Sequence, residues 1–303
     1  MRLRVLGSAA GGGFPQWNCG CDNCRGVRAG TLRARARTQE SVAVGAGMAT
    51  WVLLNASPDI RAQIESFPPL HPRDRRDSPI AAVLLTSGEL DHCLGLFSLR
   101  EAPAIAVYAT RAVRDGITAD NSLYAALAPR VTWCVLELGV EVAITDYAER
   151  FTGLFVEARS VPGRVPGYLQ KTVGPSDEHV VVLRLRDPST GGVVAYCPGA
   201  GCVDDAVLAA LGGSRCVFFD GTFWSSDEMR TAGVGTRRAE EMAHAPLGGV
   251  DGSLARLTGL AAERKILIHL NNTNPLLRDD GRERAEAAAR GWDVAYDGME
   301  LTV

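Results

Sequence analysis

The chain has 303 residues, 46% of them apolar and 22% charged, and carries a net charge of −3. Such a composition belongs to a globular chain, and the slight negative charge argues against a nucleic-acid protein with a basic face. No run of about 18 apolar residues is present, so no membrane-spanning helix is expected.

The N-terminal "MRLRVLGSAAGGGF" reads as a first strand, because its apolar run is too short for a secretory signal. The expected location is therefore the cytoplasm. Clustered thiols there point to metal ligands before disulfides. Cys19, Cys21 and Cys24 follow within a Gly-rich stretch, about residues 10–30. Thiolates two and three residues apart on a turn can converge on one tetrahedral ion, so a structural zinc is expected. Three ligands leave a fourth to be found. The other five cysteines, Cys93, Cys134, Cys197, Cys202 and Cys216, are scattered, several of them in strand-like runs, and read as small buried hydrophobes.

"SVAV" and "TWVLLNA" are the next strands. "SPDIRAQIESF" reads as a helix that starts at Ser57 and Pro58, with Asp59 in its first turn. The polar "HPRDRRDSP" is a surface loop. "PIAAVLLT" is continuously apolar, the pattern of a buried strand, and "DHCLGLFSLRE" reads as the helix after it, with Asp91 as a candidate cap. "AIAVYAT" and "RAVRDGI" repeat strand and helix, and several β-branched strands fill the middle up to "VVAYCPGA". "VDDAVLAAL", "RCVFFDGT", "GSLARLTGL", "KILIHLNN" and "DDGRERAEAAARGW" alternate helix and strand. "DVAYDGMELTV" reads as a closing hairpin around Asp297 and Gly298. No linker divides the chain, so one α/β domain over residues 1–303 is expected.

The polar residues of interest sit at strand ends. Glu89, Asp91 and His92 follow "VLLT", Asp220 ends "VFFD", and His269 follows "ILI". Ligands in open sheets gather at such tips. Each residue taken alone would serve as a helix cap or a solvated turn, but all of them together strain that explanation.

Strand–"TSGELDH"–helix, then "FFDGT", then "LIHL" resembles the metallo-β-lactamase superfamily. That resemblance implies a four-layer αββα sandwich of two mixed sheets flanked by helices. "GGGFPQWNCGCDNC", "RTQESVAV", "LLNASPDIRAQI", "FDGTFW", "DEMRTAGVGT", "GGVDGSL", "IHLNNTNP" and "VAYDGMEL" are similar, in order, to the signature stretches of the pyrroloquinoline quinone (PQQ) biosynthesis protein B family. Against the superfamily's His-x-His-x-Asp-His, this chain has Ser87, Glu89, Asp91 and His92, and "SVPGRVPGY" lacks the later histidine. A two-metal hydrolytic site needs those imidazoles. Glu89, Asp91, His92, Asp220 and His269 remain as metal ligands. Two histidines and a carboxylate resemble a ferrous facial triad.

The resemblance implies an iron- and O2-dependent hydroxylase acting on the tyrosine ring of a peptide-derived Glu–Tyr crosslinked intermediate. A single-zinc hydrolase and a non-catalytic carrier of PQQ or its intermediate are the alternatives. The expected catalytic residues are Glu89, Asp91, His92, His269 and His244. His244 lies in a segment where Ala243 replaces the family's glycine, and it reads equally well as a core histidine. His71 and His179 read as structural or exposed. Arg61, Asn271, Asn274 and Arg237 (or Arg238) are the expected substrate contacts, since Arg meets a carboxylate with paired hydrogen bonds. Related phosphodiesterases complete a similar cysteine site with a histidine three residues past the final catalytic one. Here that position is Asn272. Asn272, Asp22, a water and His269 all stay open as the fourth ligand. Expected partners are the small-molecule substrate and other PQQ-pathway proteins, with no nucleic acid or membrane, in a monomer or dimer.

Overall fold

The computed structural model describes residues 1–303 apart from Met48, Pro103 and Asp120. The apolar runs form two seven-stranded sheets. The first contains β1 (Arg2–Gly7), β2 (Ser41–Gly45), β3 (Trp51–Leu54), β4 (Ile80–Leu84), β5 (Ile105–Thr110) and β6 (Val131–Leu136), side by side in chain order. The second contains β7 (Glu141–Thr145), β8 (Phe151–Ser160), β9 (Val181–Asp187), β10 (Gly192–Cys197), β11 (Cys216–Asp220), β12 (Arg264–Ile268) and β13 (Asp293–Val294), also in chain order. The last strand, β14 (Glu300–Thr302), returns to the first sheet beside β1.

Both sheets are mixed. β3 to β6 run parallel, as do β10 to β13, and the remaining neighbours are antiparallel. Parallel strands are covered on both faces, which explains why "IAAVL", "IAVYAT" and "CVFFD" are buried throughout and almost wholly apolar. The sheets stack through Val5, Val42, Leu84, Leu183, Tyr196, Phe218 and Ile268. Helices cover the two outer faces. Ile60, Leu96 and Val113 pack on the first sheet, and Val207, Leu254 and Ala287 on the second. The result is a helix–sheet–sheet–helix sandwich.

Four local expectations are corrected. The final segment is not a hairpin. β13 pairs in parallel with β12, while β14 pairs antiparallel with β1, so the turn between them carries the chain from one sheet to the other. The Asp297 carboxylate pins that turn, accepting from the Thr38 amide at 2.6 Å and the Ser8 hydroxyl at 2.8 Å. An Asp-Gly pair specifies a turn, but the open edges of the two sheets decide which strands it joins.

Four helices bear on the site: α1 (Asp22–Arg28), α2 (Ile60–Glu65), α3 (Leu90–Cys93) and α4 (Gly95–Ser98). The segment after β4 is thus two short helices rather than one, and Asp91 lies inside α3 instead of capping it. Helix α2 starts after Asp59, whose carboxylate turns away to accept from the Gln39 amide at 2.9 Å.

Gly95 locks α4 against the loop after β3. Its amide donates to the Ala56 carbonyl at 2.8 Å, and the Ala56 amide donates to the His92 carbonyl at 2.7 Å. A Cβ on Gly95 would lie 2.3 Å from the Ser57 oxygen and 2.6 Å from the Ala56 oxygen. Both are backbone atoms and cannot swing aside. Gly95→Ala is expected to destabilise the fold by about 1–3 kcal/mol and to displace α3 from the tip of β4. Chemical denaturation measures the first effect and metal loading the second.

Candidate metal centre

The tips of β4, β11 and β12 open into one cavity of about 290 Å³, walled by residues such as Ser87, Asp91, His92, Thr222, His244 and His269. Three imidazoles stand around it. The His92 and His269 rings meet edge-on at 5.3 Å, and His244 stacks on His269 at 5.3 Å.

Each ring is oriented through one nitrogen. His92 Nδ1 faces Ser87 Oγ at 2.8 Å and Thr86 Oγ1 at 3.3 Å. His269 Nδ1 faces Thr222 Oγ1 at 2.7 Å, and that hydroxyl donates to Asp220 Oδ1 at 2.6 Å. His244 Nδ1 lies 2.7 Å from Asp220 Oδ2. Anchoring Nδ1 sets the tautomer and leaves Nε2 as the free donor atom, as in metal-bound histidines. His92 Nε2 is buried and has no hydrogen-bond partner among the described residues.

Asp220 cannot easily offer a lone pair elsewhere. Besides His244 and Thr222 Oγ1, it accepts the amides of Ala200 and Thr222, each at 3.0 Å. Of the two roles open to it, the geometry favours orienting His244 and His269.

His269 holds φ at +63°, and Ala243, beside His244, at +61°. Side-chain-bearing residues seldom enter this left-handed region, and such strain concentrates at functional sites. A glycine would hold this backbone conformation without strain. His269 is kept there by flanking amides: Gly221 donates to the Ile268 carbonyl, and Leu270 to the Ser8 carbonyl.

Asp91 Oδ2 lies 3.1 Å from His269 Nε2. Burial opposes charge on both, but each stabilises the other. Asp91 is held well below the usual carboxylate range, and His269 is raised to about 9. The pair therefore shares a proton where a cation would otherwise sit. His92 behaves oppositely, since burial lowers it to about 4. Burial also raises Glu40 to about 8. Glu40 Oε2 is 3.6 Å from His92 Nε2, and Oε1 is buried without a partner among the described residues. At neutral pH these two groups face each other uncharged. The ligand atoms of Asp91, His92 and His269 lie within 4.8 Å of one another, as do those of Asp220, His244 and His269. These are metal-compatible donor sets, and the orphaned His92 Nε2 fits them.

The three thiols do converge. The sulfurs of Cys19, Cys21 and Cys24 lie within 4.8 Å of one another. Asn272 Nδ2 faces them at 3.1, 3.6 and 3.6 Å. Burial opposes ionisation of Cys21, yet hydrogen bonds from the Cys24 amide, Cys19, Cys24 and Asn272 outweigh it and lower the thiol. Burial, together with that neighbouring thiolate, pushes Cys24 up to about 12. Without a cation, burial and the neighbouring Cys21 keep the Cys24 thiol protonated. A metal ion fits the cluster for that reason. Of the protein candidates for the fourth position, Asn272 is the one brought to the sulfurs. Asp22 is exposed and paired with Arg25, and His269 belongs to the other cluster.

The remaining expectations divide. Glu89 and Asn271 line the cavity. Glu89 stands outside the ligand clusters, and burial, then the charge of Asp91, raises its carboxyl. Asn274 is buried away from the cavity, where it holds the loop through the Gly221 and Thr222 carbonyls. Arg61 is exposed on α2, and Arg237 and Arg238 lie outside the cavity wall, bound to Glu241. A helix that starts near a strand tip need not aim its second residue inward, and α2 turns Arg61 to solvent. His179 is buried on the Gly174 carbonyl, and His71 contacts the Glu65 carbonyl. Cys202 is exposed rather than core. Sequence reasoning missed Glu40, Thr222 and Arg164. A lone glutamate directly before the apolar "SVAV" was the available signal for Glu40, and the only arginine of "SVPGRVPGY" was the signal for Arg164.

Two stacked mixed sheets with ligands at their strand tips define a metallo-β-lactamase-type protein, and residues 50–270 match the Beta-lactamase superfamily domain. The chain is 44% identical to coenzyme PQQ synthesis protein B of Pseudomonas entomophila (strain L48), covering 99% of both, and 44% identical to that of Ectopseudomonas mendocina (strain ymp), covering 100% of both. It superposes on the crystal structure of Zn(2+)-bound PqqB from Methylobacterium extorquens with a TM-score of 0.92, at 42% identity and full coverage of both chains. A diphosphatase of the PhnP family shares the fold at 20% identity, with a TM-score of 0.69. The chain belongs to the coenzyme PQQ synthesis protein B family.

Glu40 gives a pH-dependent test. Below pH 4.5 the carboxyl is protonated in both folded and unfolded chains and costs nothing. Between 4.5 and 8 only the unfolded chain releases the proton, so burial of Glu40 destabilises the metal-free fold increasingly as pH rises. Glu40→Gln should therefore stabilise metal-free protein by about 1–3 kcal/mol at pH 7, with the gain gone near pH 4.5. Urea titrations at the two pH values measure it.

Proposed function

We propose that this chain acts in PQQ biosynthesis as a metal-dependent hydroxylase of the tyrosine ring in a peptide-derived Glu–Tyr crosslinked intermediate. Family membership supports the pathway. The observation that carries the chemistry is the buried, partnerless His92 Nε2 beside Asp91 and His269. Two imidazoles and one carboxylate suit a ferrous ion and leave its other positions open. Such an ion, when bound, supplies the electron-transfer chemistry that lets O2 react with a phenol ring. One oxygen atom enters the ring in place of hydrogen. The other leaves as water, with two protons and two electrons from an external reductant.

The side chains supply the rest. Asp91, His92 and His269 hold the ion, with Glu40 as a further nearby oxygen. His244, fixed by Asp220, is the proton carrier at the wall, and Glu89 is a second acid–base group across the cavity. The absence of the superfamily's other histidines at Ser87 and Glu89 speaks against two-zinc hydrolysis. Cys19, Cys21 and Cys24 would hold the structural zinc, with Asn272 as fourth ligand through Oδ1 once its amide is turned from the orientation in which Nδ2 faces the sulfurs, a reading supported by the Zn(2+) named for the Methylobacterium relative. Among the described residues no helix is long and apolar enough to cross a membrane.

The ferrous-loaded protein, reductant and crosslinked substrate should consume O2 and yield the hydroxylated ring. His92→Ala should abolish this without loss of fold. Hydrolysis that depends on zinc alone would replace this reading with the single-zinc hydrolase. Binding without turnover would replace it with the carrier.

Zinc content separates the two metal sites. Cys21→Ser should fall well below one zinc per chain and lose thermal stability, because a cross-link between α1 and the 269–274 loop is removed. His269→Ala should keep that zinc. Elemental analysis with parallel melting curves checks both.

A further inference from the structure

Arg164 is the one arginine or lysine that lines the cavity among the described residues. It sits in the segment between β8 and β9, which is fastened on either side of it. Gly201 donates its amide to the Pro162 carbonyl at 2.6 Å, and Arg164 Nη1 donates to the Glu241 carbonyl at 3.0 Å. The guanidinium is half-buried, and its Nε is sealed from solvent without a hydrogen-bond partner among the described residues. No carboxylate of the described residues pairs with it within 4.0 Å, unlike most arginines with comparable burial here, such as Arg159 and Arg184. Burial first, then the nearby Arg237, works against its charge, and Glu89 across the cavity only partly compensates.

A partly desolvated guanidinium without a paired carboxylate is costly, and it is a ready receptor for an anion of planar, two-oxygen geometry. The same wall carries Glu89, Asp91 and the histidines. The cavity therefore combines a cation-seeking ligand cluster with an anion-seeking guanidinium. A volume of about 290 Å³ is at the small end for a ligand site, so one small molecule reaches both.

We propose that Arg164 is the carboxylate anchor of the substrate site, holding an acid group of an aromatic amino-acid-derived ligand so that its ring faces His269 and His244. This rests on the cavity being the substrate site of the reading above, but it requires neither iron nor turnover. A purely structural role, tying the 161–165 segment to Glu241, is the competing explanation.

Calorimetric titration of the intact protein with 4-hydroxyphenylpropionate and with its neutral amide distinguishes them. Wild type should bind the acid at least tenfold more tightly than the amide. Arg164→Met should bring that ratio to within twofold, and Arg164→Lys should restore part of it. The amide affinity should barely change in Arg164→Met, which a collapse of the wall would not allow. A ratio near one in wild type, or an undiminished ratio in Arg164→Met, overturns the assignment. An Arg164-dependent ratio in protein that shows no oxygenation upholds the anchor while refuting the hydroxylase.

Discussion

Glu40 and Asp220 are buried, and Asp91 is partly buried, within one small volume at the tips of the two sheets. Removing three carboxylates from water costs far more than ordinary hydrogen bonds return, unless positive charge shares the space. The surrounding structure answers that constraint in different ways. Asp220 is satisfied by amides, a hydroxyl and His244. Asp91 holds a proton jointly with His269. Glu40 stays protonated. These arrangements leave His92 Nε2 without a hydrogen-bond partner among the described residues, and a cation fits that position.

The segment 269–274 joins this cluster to the cysteine site. His269 takes a strained left-handed backbone, Asn272 turns its amide to the three sulfurs, and Asn274 clamps the loop to the end of β11. Asn23, from α1, donates to the Asn272 and Asn274 carbonyls at 3.2 and 3.1 Å. The thiol cluster and the cavity are thus two ends of one short loop. Whatever orders the cysteines also holds the conformation that aims His269. The thiols accordingly serve the scaffold, although they lie only a few residues from the chemistry.

The superfamily's hydrolytic arrangement has been altered rather than lost. Ser87 stands where a histidine would be a ligand, and it now orients His92. The segment that lacks the later histidine contributes Arg164 to the wall.

Much of this was legible without coordinates. Continuous apolar runs such as "IAAVL" and "CVFF" specify strands covered on both faces, because neither face offers side chains suited to water. Asp91, His92, Asp220 and His269, at the ends of such runs, do gather, while Glu89 lines the same cavity outside the ligand clusters; the three cysteines, whose spacing is local, also converge. Contacts between distant segments were not legible. Glu40 and Arg164 carry no local signature, since a charged residue beside a strand or in a Gly-Pro loop is usually solvated. Their burial depends on what packs over them. The same holds for Arg61 and Asn274, whose sequence neighbourhood suggested the cavity and whose side chains the helix and loop direct elsewhere. The Asp297–Gly298 turn was plain in the sequence, but its bridging of two sheets was not. Periodicity and spacing act over a few residues and determined the elements and the ligand types. Burial, counter-charge and strand pairing act between segments far apart in the chain, and these only the tertiary structure decided.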